Sequence, residues 1–264
     1  MRRDRLDQAQ CSRVPRAPGV AGGPLRRPGG DAGEGRAGRV SFIVPAYNEA
    51  ATIADVLERV AALDFDKQIV VVDDGSTDDT PRVLEEWAGR DGVHVIRQEN
   101  RGKGAAIRAA IPLLDGDITV IQDADMEYDP ADVPELIEPI RRGSADVVFG
   151  SRLSGGRPQR AYLFWHLVGN RFLSLLTNVL FNTTLSDMET GYKAFRTDVL
   201  RSLDLREDDF AIEPEMTAKV CKRHLRVYEL PISYYGRTYA EGKKITWRDG
   251  FKAMFVLLRV RFVG

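Results

Sequence analysis

The chain has 264 residues, 43% of them hydrophobic, which is enough to bury a core in one large domain or two small ones. A formal net charge of -1 excludes a general nucleic-acid-binding reading, and two cysteines, Cys11 and Cys221, exclude a disulfide framework and point to a reducing compartment. No apolar run reaches the length of a bilayer-spanning helix.

Residues 1–38 are rich in Arg, Gly and Pro and almost free of large apolar side chains, a composition that predicts a disordered tail. The tail has neither the apolar h-region of a signal peptide nor the pattern of an amphipathic presequence, and the expectation is a dispensable extension or a misplaced start. Val40–Val44 reads as a strand stopped by Pro45-Ala46-Tyr47-Asn48-Glu49. Ile53, Val56, Leu57, Val60 and Leu63 then recur at helical spacing. Ile69–Val72 is a continuous β-branched strand, as a parallel strand covered on both faces should be, and it ends in Asp73-Asp74-Gly75-Ser76-Thr77. Thr80 is the predicted N-cap of the next helix, with Pro81 in its first turn. Strand Val93–Ile96, helix Gly102–Leu114 and strand Ile118–Ile121 follow. Further on, the pattern predicts a helix over Pro130–Ile140, a strand over Asp146–Phe149, a helix over Leu163–Phe181, a loop over Ser186–Lys193, a helix after Phe210–Glu215 and a strand over Arg226–Leu230.

Strands and helices alternating at this spacing imply right-handed crossovers and a mostly parallel sheet. Ligands of such sheets bind beyond the carboxyl ends of the strands, so the polar clusters Pro45–Glu49, Asp73–Thr77 and Asp123–Glu127 should converge on one crevice. In the last cluster, Asp123, Asp125 and Glu127 stand two residues apart. On a still-extended backbone their carboxylates share one face, where a hard divalent cation, Mg²⁺ or Mn²⁺, would relieve their repulsion. An isolated D-x-D is more often a solvated acidic turn, and it is the convergence of the three clusters that favours the site. Gly102-Lys103-Gly104 lacks the third glycine and the preceding strand of a dinucleotide fingerprint, and no phosphate-binding G-x-x-x-x-G-K-[ST] loop, His/Cys metal cluster or nucleophile elbow is present.

Eight stretches in order, VSFIVPAYNEAATI, VVVDDGSTDDT, NRGKGAAIRAAI, VIQDADMEYDP, VVFGSRL, SDMETGYKAFR, FAIEPE and RTYAEGKKITWRDG, resemble the family 2 glycosyltransferases. The likeness is strongest to the dolichyl-phosphate mannosyltransferase-like branch, whose members transfer a sugar to a polyprenyl phosphate. It implies a GT-A, Rossmann-like α/β fold with a mostly parallel central sheet flanked by helices over residues 39–245. It also implies a nucleotide sugar in the crevice. By position, Pro45, Tyr47 and Glu49 look like the base and ribose contacts, with Asp74, and Asp73 beside it, near the nucleoside. Asp123, Ala124 and Asp125 look like the turn that holds the metal on the diphosphate. The family often has glutamine where Glu127 stands, and a carboxylate there is an equally hard third ligand. Arg152, Arg237 and Lys243 fall on the family's phosphate-binding cations, and Arg171 on an acceptor-phosphate contact.

The chemistry so implied is inverting transfer of mannose or glucose from a nucleotide sugar to a dolichyl or undecaprenyl phosphate, with Mg²⁺ or Mn²⁺, Asp125, Arg152, Arg237 and Lys243 acting on the leaving diphosphate. A phosphate acceptor is anionic at neutral pH and needs no base. A hydroxyl acceptor would need one, which Asp187 or Glu189 would have to supply. GDP-mannose is the family's best-known donor, UDP-glucose and UDP-N-acetylhexosamines being used by other branches. Finally, a helix over 246–264 would line up Arg248, Lys252 and Arg259 beside Phe251, Phe255, Leu258 and Phe262. That pattern fits peripheral attachment to an anionic membrane surface on its cytoplasmic face, and equally fits packing on the domain with the basic residues in solvent. Whether a separate membrane partner is needed stays open.

Overall fold

A computed structural model describes residues 38–158, 160, 164–237 and 247–263, with Trp247 and Arg248 described in backbone only. The predicted tail, apart from Gly38, and Lys243 lie outside the described residues. All described residues belong to one compact unit, Glu34–Gly264.

Seven strands form a single sheet: β1 (Val40–Ala46), β2 (Lys67–Asp73), β3 (Val93–Arg97), β4 (Ile118–Ile121), β5 (Val147–Ser151), β6 (Lys193–Arg196) and β7 (Val227–Pro231). Their order is β3-β2-β1-β4-β6-β5-β7, and only β6 runs against the others. The helices are α1 (Ile53–Ala61), α2 (Thr80–Glu85), α3 (Lys103–Ala110), α4 (Val133–Arg141), α5 (Phe164–Phe181), α6 (Thr197–Ser202), α7 (Ile212–Lys222) and α8 (Trp247–Phe262).

The continuous apolar strands are buried on both faces. Along β1 and β2, Phe42, Val44, Ile69 and Val71 join the core shared with α1, α2 and α4, whereas Ile43, Val70 and Val72 join the core under α3 and α5–α8. Alternation of side chains across a strand splits a continuous β-branched run between two layers. The register then sets the strand ends level: Ala46 pairs with Asp73, and Ile43 with Ile121. Because β6 is antiparallel, its first residue, Lys193, lies at the same edge of the sheet as the last residues of β1, β2, β4, β5 and β7.

Three local expectations change. Asp79, not Thr80, occupies the N-cap of α2, and the Thr80 hydroxyl instead accepts from the Glu49 amide at 2.9 Å, tying the end of β1 to α2. The expected helix over Gly102–Leu114 ends at Ala110 and tightens into a 3-10 turn at Ile111–Leu113, where Pro112 cannot donate to the preceding turn. Strand β6 and helix α6 occupy a stretch for which the pattern gives no element beyond the Ser186–Lys193 loop. Helix α8 buries Ala253, Val256, Leu257 and Val260 in the same core as α7.

Candidate active site

The carboxyl edge of the sheet holds a cavity of about 340 Å³. The end of β1 contributes Pro45, Tyr47 and Glu49 to its wall, and the end of β2 contributes Asp74. The turn after β4 adds Asp123, Ala124, Asp125 and Glu127, while Arg152, after β5, and Arg237, after β7, complete it. The three polar clusters do converge.

The acidic turn is bent, not extended. Met126 has a positive φ of 59°, a left-handed conformation rarely held by a non-glycine residue unless the surroundings enforce it. The expected single face of three carboxylates is therefore broken. Glu127, still in the cavity wall, accepts from the Tyr234 hydroxyl at 2.7 Å and from the Arg237 amide at 2.7 Å. Among the described residues no group of three or more His, Cys, Asp and Glu is arranged to hold a metal, so the three-ligand set is not assembled. Asp125 stays in the cavity, where burial, followed by the charges of Asp123 and Glu127, pushes its carboxyl up to about 7 against the pull of Arg237.

Arg237 bridges these groups. Its Nη2 lies 2.8 Å from Asp125 Oδ2, its Nη1 3.1 Å from Glu49 Oε2, and its Nε 3.6 Å from Glu127 Oε1. Burial opposes its charge, but Asp125 and Glu49 outweigh that and raise its pKa further. From the cavity wall a chain of alternating charges runs into the core. Lys103 Nζ lies 2.7 Å from Asp123 Oδ1 and 3.0 Å from Glu213 Oε1, and Lys193 Nζ lies 2.7 Å from Glu213 Oε2. Lys193 is fully buried and also donates to the carbonyls of Thr190 and Met188. Paired in this way, both lysines satisfy the rule that buried charges need partners.

The sequence patterns point to neither Lys103 nor Glu213, which are brought together from α3 and α7. The available signal was glycine. A Cβ on Gly102 would stand 2.6 Å from the Asp208 carbonyl, and one on Gly104 would run into that of Glu207, so the start of α3 must be bare to seat against the segment before α7. Gly191 is similarly constrained: its Cβ would stand 2.6 Å from Asp123 Oδ2.

Arg152 and Asp187 form a closed unit. Asp187 accepts from Arg152 Nε at 2.7 Å, from Nη2 at 2.8 Å, from the Arg152 amide at 3.0 Å and from Asn170 at 2.8 Å. Burial acts to raise its pKa, and Arg152 overcomes it, holding the carboxyl below its ordinary range. Asp187 is thus unsuited to take up a proton, while its neighbour Glu189 lines the cavity with Oε1 buried and without a hydrogen-bond partner. The Arg152 guanidinium also sits 5.2 Å from the Tyr234 ring, and Tyr128 stacks on Tyr192 with ring centroids 5.0 Å apart.

Two expected residues stand away from the cavity. Asp73 is buried under the loop that follows it, accepting from the Ser76 amide at 2.9 Å and pairing with Arg97 at 3.1 Å. Arg171 is exposed on α5 and does not line the cavity. Asp74, although in the wall, is bound to loop amides: those of Arg101 and Gly102 donate to it at 3.0 and 2.7 Å. Its carboxylate shapes the loop ahead of α3.

An acidic turn at the end of β4, facing cations across a crevice at the carboxyl edge of a mixed sheet of this order, belongs to a glycosyltransferase of the GT-A fold. The model of glycosyl transferase family 2 matches residues 41–204, and the chain belongs to that family. It is 33% identical over 199 residues to glycosyltransferase AglJ of Haloferax volcanii, covering 75% of this chain and 63% of AglJ, so it spans less than two thirds of that relative. It is 32% identical over 219 residues to the undecaprenyl-phosphate mannosyltransferase of Micrococcus luteus, covering 78% of this chain and 87% of the relative. Among solved structures, glucosyl-3-phosphoglycerate synthase from Mycobacterium tuberculosis, in complex with Mn²⁺, uridine diphosphate and phosphoglyceric acid, superposes with a TM-score of 0.66 at 21% identity, covering 86% of this chain and 79% of that one. That likeness concerns the fold.

Proposed function

We propose that the enzyme transfers a hexose, mannose or glucose, from a nucleotide sugar to a polyprenyl phosphate with inversion at the anomeric carbon. The observation that carries this reading is the pairing of Asp125 with Arg237 and of Asp123 with Lys103 in the wall of one cavity, where a diphosphate leaving group would meet both a cation site and a guanidinium. The polyprenyl-phosphate acceptor is supported by what the M. luteus relative is named to act on. Transfer of labelled sugar to a short polyprenyl phosphate, and not to the matching alcohol, tests it.

Asp123 and Asp125 are the residues that would hold Mg²⁺ or Mn²⁺. Their hard oxygens suit either ion, and two carboxylates plus substrate phosphates are a usual set for Mg²⁺. Lys103 takes Oδ1 of Asp123, and Arg237 takes Oδ2 of Asp125, whose Oδ1 also accepts from the Glu127 amide at 3.1 Å. When bound, the ion supplies positive charge to the diphosphate as its bond to the sugar breaks. Arg237 and Arg152, with Lys243 as a further candidate outside the described residues, add fixed cations to the same oxygens. Glu127 is assigned here to holding Arg237, not to the metal.

Asp125 ionises near 7, and a cation binds its ionised form. Mn²⁺ should therefore bind about tenfold more tightly at pH 8 than at pH 6, the gain levelling off above 7, when titrated calorimetrically with nucleoside diphosphate present. Asp125→Asn should lose that pH dependence.

The acceptor is a lipid, and the surface formed by α5 and α8 suits one. These helices pack together and leave Trp165 78%, Phe172 56%, Val179 73% and Phe255 64% exposed. No acidic residue occurs in α5. Of the two readings of this stripe, lipid-facing or solvent-facing, Lys252 and Arg259 take neither fully: they pair with Asp209 at 2.6 Å and Glu207 at 2.8 Å, so attachment is assigned to the apolar faces, with Arg171 and Arg261 as exposed cations. Among the described residues no helix is long and apolar enough to cross a membrane. Phe172→Asp with Phe255→Asp should weaken binding to anionic lipid vesicles about 100-fold in co-sedimentation, as expected for losing two buried aromatic rings.

A further inference from the structure

The two oxygens of Asp123 stand in different surroundings. Oδ1 holds Lys103 Nζ at 2.7 Å, and Oδ2 faces the bare backbone of Gly191. A Cβ on Gly191 would stand 2.6 Å from Oδ2 and 3.0 Å from Lys103 Nζ. Gly191 has no positive φ, so its backbone does not call for glycine. What glycine keeps there is room, beside a carboxylate oxygen and an ammonium whose residues both line the cavity.

Lys103 is the member of this contact that can change partners. Its Nζ lies between Asp123 Oδ1 and Glu213 Oε1, the second at 3.0 Å, and only 12% of its side chain is exposed. A lysine buried to that degree cannot stand without a counter-charge, and Glu213 supplies one independent of Asp123. Glu213 is itself held by Lys193, at the start of β6, at 2.7 Å. Lys103 can therefore let go of Asp123 and still keep a carboxylate. Across the same turn Asp125 is capped by Arg237, which likewise has Glu49 as a second partner.

We infer that Lys103 is an internal competitor for the divalent cation at Asp123: its ammonium holds Oδ1 and gives it up to Mg²⁺ or Mn²⁺ while keeping Glu213. The inference rests on the metal assignment proposed above, and it sets how cation and donor depend on each other. A positive charge in contact with Asp123 opposes a second cation both by repulsion and by occupying an oxygen. Asp123 and Asp125 alone are then a weak site, which needs diphosphate oxygens to complete it. The ammonium released from Asp123 remains in the cavity wall as positive charge for the diphosphate, so cation and donor strengthen each other's binding. Lys103 acts here through Asp123, as a positioning residue.

The test is a calorimetric titration of Mn²⁺ into wild type, Lys103→Met and Lys103→Arg at about pH 8, where Asp125 is ionised, first without nucleotide and then with GDP or UDP present. Without nucleotide, Lys103→Met should bind Mn²⁺ about tenfold more tightly than wild type, and Lys103→Arg, which keeps the charge, should stay close to wild type. The tightening brought by GDP or UDP should be smaller in the methionine variant. A lysine that only supported the fold would give weaker binding when removed, never stronger. Lys103→Met leaves Glu213 paired with Lys193, and the thermal midpoint reports whether it folds. Should it not fold, the wild-type protein decides: the ¹⁵Nζ resonance of Lys103, identified by its loss in Lys103→Arg, should shift as Mg²⁺ saturates the protein, and a resonance that stays in place overturns the inference. A folded methionine variant that binds Mn²⁺ no more tightly than wild type, or an arginine variant that gains as much, overturns it while leaving the metal assignment intact. Absence of Mn²⁺ binding to wild type and variants alike, with and without GDP or UDP, overturns both.

Discussion

Asp125→Ala should lower sugar transfer at least about 1,000-fold while the protein stays folded. The magnitude is that of removing an anchor for a charge-stabilising cation, worth several kcal/mol at the leaving group. The fold should survive because Asp125 is a cavity residue whose partner, Arg237, keeps Glu49 and Glu127. Removing Asp125 also relieves a carboxyl that burial and its acidic neighbours hold near 7. Circular dichroism and the thermal midpoint report the fold, and labelled transfer reports the activity. Full turnover in the folded variant would refute the metal assignment.

Glu213→Ala should be the most damaging single change to stability. Glu213 sits between Lys103 and Lys193, and deleting it leaves Lys193 buried with carbonyl partners alone. Breaking a buried ion pair by removing one partner costs about 3–5 kcal/mol. That is a large share of the total stability of an ordinary domain and should lower the thermal midpoint by about 10 °C. Adding Lys193→Met removes the stranded charge and should recover part of the loss. A single variant that melts with wild type would show that the relay contributes nothing to the fold.

The sheet was legible where its physics is local. Strands β1, β2 and β4 are buried on both faces, so they appear as unbroken apolar runs, and each ends at the polar residues that line the cavity. Strand β6 was not legible, because Lys193-Ala194-Phe195-Arg196 is charged at both ends and is made a strand by β4 and β5 on either side. In the site, Asp123, Asp125 and Glu127 all line the cavity, as their spacing implied, but the left-handed turn at Met126, which leaves no mark in residue spacing, seats Glu127 on Tyr234 and Arg237. The Lys103 to Glu213 pair and the capture of Lys252 and Arg259 by Asp209 and Glu207 were hidden for a different reason. They join segments far apart in the chain, and a helical pattern shows which side chains share a face without showing what packs against it. Asp73 and Asp74, adjacent and alike in sequence, differ in the same way: one is buried under its loop and the other reaches the cavity.

A competition between two acceptors tests the choice of a phosphate acceptor most directly. The enzyme, supplied with Mn²⁺ and a panel of nucleotide sugars, is offered a short polyprenyl phosphate and the corresponding polyprenyl alcohol, and the lipid-linked sugar is quantified. The account predicts turnover of the phosphate with at least one nucleotide sugar and none of the alcohol; transfer to the alcohol alone would contradict it.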